Sequence, residues 1–294
     1  MALTIWSAAL WFFIGLTPAR AMNGPRPAPD EPFNTYYAIH DSLTSARAAF
    51  QGPEEMLASW ARAMNLAYDL LRFDFHDRPF PPGPERYNRK AHFGSWVDDP
   101  RDDTCYNTRA KVLIRDSRRP VSFKAGNRCV VEGGEWNEPY TGRQRTLASA
   151  LQIDHMVPLK NAFISGAWSW DWPRRCLYAN YIGNAFHLVS ADGPENMRKG
   201  DRTPADWMPP NRPVACVYLS SWLKIKMIWG LVMHEREARA VQALVRQERC
   251  DPRMFQMSEA ELLRQRQILR DNMNLCARLR PPPPSRDDDG SGED

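Results

Sequence analysis

The chain has 294 residues, of which 43% are hydrophobic and 25% are charged, an ordinary globular composition that allows one large domain or two small ones. Its 25 prolines and 11 tryptophans argue against a helix bundle and favour long, well-packed irregular segments. Without residues 1–21 and the acidic tail 287–294, the body has 38 Lys and Arg against 30 Asp and Glu, a net charge of +8. That charge favours a polyanionic partner such as nucleic acid, although many basic proteins bind none.

The first predicted element is an apolar run over residues 3–16, LTIWSAALWFFIGL. Its 14 residues fall short of the ~20 that a membrane-spanning helix needs, and the ARA that ends at Ala21 fits the cleavage pattern of a signal peptide. We therefore expect a signal peptide over residues 1–21 and a secreted or periplasmic mature protein. Because no Lys or Arg precedes the run, an uncleaved N-terminal anchor is the alternative.

The segment after the signal peptide, residues 22–86, is predicted to hold a Pro-rich leader and one helix. The leader covers residues 22–32. The helix covers residues 53–73, where Pro53 suits the first turn and large apolar residues recur at four-residue spacing.

The main domain is predicted over residues 87–250, with short strands, turns and no long helical period before residue 233. Residues 111–117, KVLIRDS, and residues 128–136, RCVVEGGEW, are predicted to be strands, the second ending in a Gly-Gly turn.

Two helices are predicted towards the C-terminus. The first covers roughly residues 234–247, and the second, within residues 251–280, begins at a capping box formed by Ser258 and Glu261. Residues 281–294 are rich in proline and acidic groups, so we expect a disordered tail.

The cysteines agree with export, because an even number in an exported chain predicts disulfides. No C-x-x-C pair is present, which argues against a zinc ribbon. Six cysteines allow 15 pairings, and spacing alone does not choose among them.

An acid and a histidine lie side by side in an apolar, strand-like stretch, LQIDHMVPL. In a regular strand Ile153 and His155 point to one face and Asp154 points to the other. Burying either polar group without a partner costs several kcal/mol, so the pair needs an explanation. Taken alone, the dipeptide is equally consistent with a hydrogen-bonded core histidine.

The segments that follow bring further polar side chains towards this strand. A long loop over residues 160–183 leads into a second predicted strand, residues 184–191, which contains His187, and then into a short helix that contains Asn196. The order is strand, loop, strand, helix.

This pattern resembles the HNH (ββα-metal, or His-Me finger) endonucleases, and in particular an exported bacterial branch that shares its nuclease domain with the C-terminal part of the restriction enzyme GmrSD. The resemblance covers about residues 87–250 and includes NTRAKVL, GEWNEPYTG, DHMVPL, KGDRTPADWMPP and CVYLSSWLKIKMIWGL. Several motifs in one order are more specific than any one of them. The resemblance implies an α+β fold with a ββα-metal finger core, short strands, long loops and flanking helices, stapled by disulfides.

The resemblance also implies roles for the four polar residues. His155 would be the general base, and Asp154 and Asn196 would hold Mg²⁺ or another divalent cation such as Mn²⁺. His187 would either tie the loop to the first strand, which we favour, or approach the metal.

Four basic residues are weaker candidates for contacts with the substrate. Arg198 and Lys199 fit phosphate contacts and the solvated end of a helix equally well. Arg109 and Arg175 could also face the substrate, although the turn that contains Arg109 has an equally good structural explanation. The tryptophans of residues 168–229 are predicted to be mainly core.

The resemblance further implies the pairings Cys105–Cys129 and Cys216–Cys250, which leave Cys176–Cys276. The function implied is an exported, metal-dependent endonuclease that acts on DNA, with RNA left open as a second substrate. The resemblance implies no obligate protein partner and no membrane contact after signal cleavage. A nuclease toxin delivered to other cells and a catalytically inactive nucleic-acid-binding protein are the alternatives.

Overall fold

The computed structural model describes residues 68–70 and 86–279. The predicted signal peptide, the Pro-rich leader and the acidic tail lie outside these residues. Within them the fold is α+β, as predicted. The strands are β1 Tyr68–Asp69, β2 Ser122–Lys124, β3 Asn127–Asn137, β4 Gln144–Leu147, β5 Leu151–His155, β6 Leu188–Asp192 and β7 Gln256–Met257. The helices are α1 Arg89–Phe93, α2 Thr108–Asp116, α3 Leu159–Ile164, α4 Trp172–Ala179, α5 Gly193–Lys199, α6 Ala215–Trp229, α7 Glu235–Gln247 and α8 Glu259–Asn272.

A ββα unit lies at the centre of the described residues. Strands β5 and β6 form an antiparallel pair in which His155 lies opposite Leu188, and α5 follows β6 and packs on both strands. Asp192 caps α5 by accepting a hydrogen bond from the backbone N–H of Glu195, 3.2 Å away. The predicted order of two strands followed by a helix is confirmed, but the predicted loop over residues 160–183 is wrong, because helices α3 and α4 occupy most of it. The second strand begins later than predicted, so His187 immediately precedes it.

A second sheet, in the order β2–β3–β4, packs with α2 around the smaller of the two main core clusters; a third, minor cluster surrounds the Cys176–Cys276 disulfide. The predicted strand at residues 128–136 is confirmed, although β3 continues through both glycines without a turn. The predicted strand at residues 111–117 is wrong, because most of it belongs to α2. The side chain of Asn107 accepts a hydrogen bond from the Ala110 N–H at 2.9 Å and starts the helix. This cap and the burial of one helical face outweigh the strand propensity of the β-branched residues.

The larger core cluster surrounds α6. Twelve of the 15 residues of this helix are buried, so its sequence is apolar on nearly every side. A helix buried all round has no amphipathic period. The prediction of no long helix before residue 233 is therefore wrong: α6 lies there, and its burial hides the helical period.

The two C-terminal helices agree with their capping signals. His234 caps α7, and Ser258 caps α8 by accepting a hydrogen bond from the Glu261 N–H at 3.1 Å. The predicted helix over residues 53–73 lies almost entirely outside the described residues. The part that is described includes β1, which pairs with β7 and is therefore a strand instead.

All three disulfides implied by the resemblance are confirmed. They are Cys105–Cys129, Cys176–Cys276 and Cys216–Cys250, and together they include every cysteine of the chain. The second links α4 to the segment after α8 across 100 residues of sequence. Disulfides at this density are typical of extracellular proteins. No helix among residues 68–70 and 86–279 is long and apolar enough to cross a membrane.

Candidate active site

Strand β5 places Asp154 and His155 on opposite sides, as its alternation predicts. His155 lies on the side of the smaller core, under the ring of Trp96. Asp154 lies on the side of the larger core, against Tyr140 and Lys199. Both residues are about 98% buried. Two neighbouring polar groups therefore have separate environments.

The imidazole of His155 is held as a neutral base. Its Nε2 lies 3.0 Å from the carbonyl oxygen of Ala179, and a carbonyl only accepts, so we place the ring proton on Nε2. Nδ1 then has a lone pair with no partner among the described residues. Burial holds the pKa of His155 well below its usual value, and the positive charge of Arg89 lowers the pKa further. The ring is uncharged at neutral pH and is able to accept a proton at Nδ1.

Asp154 belongs to a buried ion pair. The ammonium of Lys199 donates to its Oδ1 at 2.7 Å and to the backbone carbonyl of His155 at 2.9 Å. The hydroxyl of Tyr140 donates to the other carboxylate oxygen. Burial raises the pKa of Asp154, while the charge and hydrogen bond of Lys199 oppose that rise. Because Lys199 is fully buried, its predicted contact with a substrate phosphate is replaced here by the carboxylate.

His187 connects three parts of the site. Its backbone carbonyl accepts from the N–H of Met156 at 3.0 Å, and its Nε2 lies 2.7 Å from the carbonyl of Tyr178 in α4. Burial lowers the pKa of His187 to about 4, so this ring is also neutral. These contacts support the interpretation in which His187 ties the loop to β5.

Asn196 lies on the buried face of α5. Its amide nitrogen donates to Oε1 of Gln152 on β5 at 2.9 Å, which orients the side chain against the strand that carries Asp154.

The donor chemistry of Asp154 and Asn196 fits a hard divalent cation. A carboxylate and an amide oxygen are ligands of the kind that Mg²⁺ takes while keeping several waters, and each carboxylate oxygen has lone pairs beyond the one it uses. Within the described residues, no group of three or more His, Cys, Asp or Glu could hold a metal ion. Any cation here would therefore be held by few protein ligands. It would also lie close to the positively charged ammonium of Lys199, which already contacts Asp154.

The remaining basic candidates separate into two kinds. Arg109 donates to the backbone carbonyls of Ala148 and Leu151, and Arg175 donates to three backbone carbonyls, of His92, Trp168 and Trp170. Both guanidinium groups hold the fold together where they lie. Arg198 has a side chain that is 68% exposed and pairs with Glu195. Of the four, Arg198 is the most accessible to a phosphate, and that contact stays a prediction.

Two aromatic contributors were missed by the sequence analysis. Tyr140 lies within GEWNEPYTG, but the spacing of that motif does not reveal that its hydroxyl reaches Asp154. Trp96 lies ahead of the recognised motifs and carries no local signal of its own. The tryptophans predicted to be core include Trp170, Trp222 and Trp229, and these three are buried.

The comparisons with known proteins agree with the motifs. Residues 106–243 match the family described as GmrSD restriction endonucleases, C-terminal domain. The chain is also 34% identical over 165 residues to an uncharacterized secreted protein of Arthroderma benhamiae, across 56% of this chain and 78% of that protein. No solved structure matches the chain significantly.

The motifs and the family match together indicate a nuclease-type domain. The chain belongs to the family of the GmrSD C-terminal domain. Membership of this family indicates a nuclease-type function.

Proposed function

We propose that the chain is an exported HNH-type endonuclease that hydrolyses phosphodiester bonds of DNA with a divalent metal ion. The observation that carries the proposal is the state of His155: a buried, neutral imidazole with its proton held at Nε2 and an unpartnered lone pair at Nδ1. A general base needs a ring nitrogen that is not already hydrogen-bonded. His187 also has an unpartnered Nδ1, but His155 alone follows a carboxylate, Asp154, on β5, and so completes the Asp-His pair on which the HNH resemblance rests.

The proposed reaction is hydrolysis by an activated water. Nδ1 of His155 accepts a proton from the water as its oxygen attacks phosphorus, and the bond from phosphorus to the 3′-oxygen breaks. The departing 3′-oxygen takes a proton from solvent, which leaves a 5′-phosphate and a 3′-hydroxyl. The carbonyl of Ala179 accepts from Nε2 throughout, so it stabilises the imidazolium that forms.

Asp154 and Asn196 are the residues that would hold Mg²⁺ or Mn²⁺. When bound, the ion supplies neutralisation of charge on the phosphate. Lys199 fixes the carboxylate of Asp154 in one orientation through its hydrogen bond to Oδ1. The basic body of the chain supports a nucleic-acid substrate by raising its local concentration.

Export is supported by three observations. The apolar run before residue 22 fits a signal peptide, the three disulfides fit an oxidising compartment, and the similar fungal protein is named as secreted. We expect the mature protein to begin at Met22. N-terminal sequencing of protein from the periplasm or the medium tests this, and cytoplasmic protein that retains Met1 would refute it.

Cleavage of nucleic acid by the purified mature protein tests the function. Supercoiled plasmid and a structured RNA are incubated with Mg²⁺, with Mn²⁺ and with EDTA. We expect nicked and then linear plasmid with either metal and at least ~10²-fold slower cleavage in EDTA. Binding of DNA with no cleavage under any of these conditions would instead favour the inactive nucleic-acid-binding protein.

A further inference from the structure

The indole of Trp96 lies flat on the imidazole of His155. The two ring centroids are 5.4 Å apart and the planes differ by 4°. At this distance the parallel rings are offset, so the indole covers part of one face of the imidazole and does not block either ring nitrogen. Trp96 is half-buried, so it separates His155 from the surface on that side.

One buried amide holds the backbone on both sides of Trp96. The side chain of Asn180 accepts from the N–H of Val97 at 2.9 Å and donates to the carbonyl of Ser95 at 3.1 Å. Asn180 is 2% exposed and follows Ala179 directly at the end of α4. Two consecutive residues therefore position the two stacked rings. Ala179 accepts from Nε2 of His155, and Asn180 holds the backbone on both sides of Trp96.

The segment that carries Trp96 has anchors that do not involve His155. The carbonyl of Val97 accepts from both the N–H and the hydroxyl of Thr108, at 2.9 and 3.2 Å. On the other side, Arg175 donates to the carbonyl of His92 at 3.1 Å. The indole is therefore a fixed wall against which the imidazole rests. This wall lies ahead of residues 106–243, the part that matches the family.

We propose that Trp96 and Asn180 are positioning residues for His155. This inference rests on the proposed function, in which His155 is the general base. The stack restricts the ring to the orientation in which Nε2 meets Ala179 and Nδ1 faces the reacting water. Small misplacements of a reacting group can cost about 10²-fold in rate, so loss of the wall should act on the chemical step and leave substrate binding largely intact.

Kinetics of four variants test the proposal. Trp96→Ala and Asn180→Ala are expected to lower kcat by about 10- to 100-fold while KM stays within about twofold. Trp96→Phe keeps a flat ring and should recover most of the rate. Trp172→Ala is the matched control, because that half-buried indole packs beside the Cys176–Cys276 disulfide and should leave kcat unchanged.

A spectroscopic measurement gives a readout that does not depend on activity. In protein labelled with ¹³C- and ¹⁵N-histidine, ring protons of His155 should be shifted upfield by the indole, and His155→Ala identifies their signals. Trp96→Ala should remove the shift, and Trp172→Ala should not.

The outcomes separate the inference from the function on which it rests. If wild-type protein cleaves DNA, His155→Ala does not, and Trp96→Ala has the wild-type kcat, the positioning role is overturned and the proposed function stands. A raised KM at unchanged kcat would also overturn it, because Trp96 would then contact substrate. If wild-type protein cleaves nothing, the function itself fails.

Discussion

The His155→Ala variant is expected to cleave DNA ~10²–10⁴-fold more slowly than wild type, equivalent to about 3–5 kcal/mol of barrier. The physical reason is the loss of Nδ1, the ring nitrogen of His155 that has no hydrogen-bond partner among the described residues. Metal binding should be largely retained, since Asp154 and Asn196 are unchanged. Two quantities are compared between the variant and wild type. One is the rate of DNA cleavage at saturating Mg²⁺, and the other is the affinity for Mg²⁺, measured by calorimetry.

Stability is measured beside the rate, because His155 is buried and stacked on Trp96. Loss of this buried ring is expected to lower the free energy of unfolding by ~1–3 kcal/mol. His187→Ala is the matched control, since His187 is equally buried and also meets a backbone carbonyl through Nε2. It should lose similar stability and a smaller part of the rate. A wild-type rate for His155→Ala would restore the core-histidine interpretation.

Lys199→Met is expected to destabilise the protein by ~3–5 kcal/mol, because it leaves the carboxylate of Asp154 buried without its cation. The ammonium that is lost also donates to the carbonyl of His155, so both residues of the site lose an anchor. Activity should fall with stability. Chemical denaturation measures the change in unfolding free energy, and plasmid cleavage measures the change in rate.

Arg198→Met is the control for Lys199→Met. Arg198 is the preceding residue and pairs with Glu195, but its side chain is 68% exposed, so its loss should cost at most ~1 kcal/mol. Asp154→Asn combined with Lys199→Met should recover part of the stability, because the double variant buries no unpaired charge. Equal losses for Lys199→Met and Arg198→Met would show that the buried ion pair does not form.

The parts of the fold that sequence predicted well are those with strong local signals. The apolar alternation of β5, the capping box that begins at Ser258, and the order of two strands and a helix in the ββα unit are all local. The disulfide pairing was predicted only through the family resemblance, because spacing alone leaves 15 pairings open.

The errors have two physical causes. Helix α2 was assigned as a strand because residues 111–117 contain a short apolar run, VLI, with two β-branched residues. The cap at Asn107 and tertiary packing decide the structure instead. Helix α6 was missed because burial on nearly all sides removes the periodicity by which helices are recognised.

Sequence identified the polar residues of the candidate site, but it did not predict which side chains they contact. Lys199 was predicted either to contact a phosphate or to lie at the solvated end of a helix, yet it is buried against Asp154, because pairing across 45 residues of sequence has no local signal. The same holds for Trp96 over His155, where the contact depends on how the end of α4 holds the segment before α2.

The central claim is that water, activated by His155, attacks the phosphate. Cleavage of an oligonucleotide in H₂¹⁸O, followed by mass spectrometry of the fragments, tests it most directly. The account predicts that each cut places one ¹⁸O in a terminal 5′-phosphate and leaves a 3′-hydroxyl, and that His155→Ala slows formation of these products ~10²–10⁴-fold. Products that contain no ¹⁸O, or that form equally fast with His155→Ala, would contradict it.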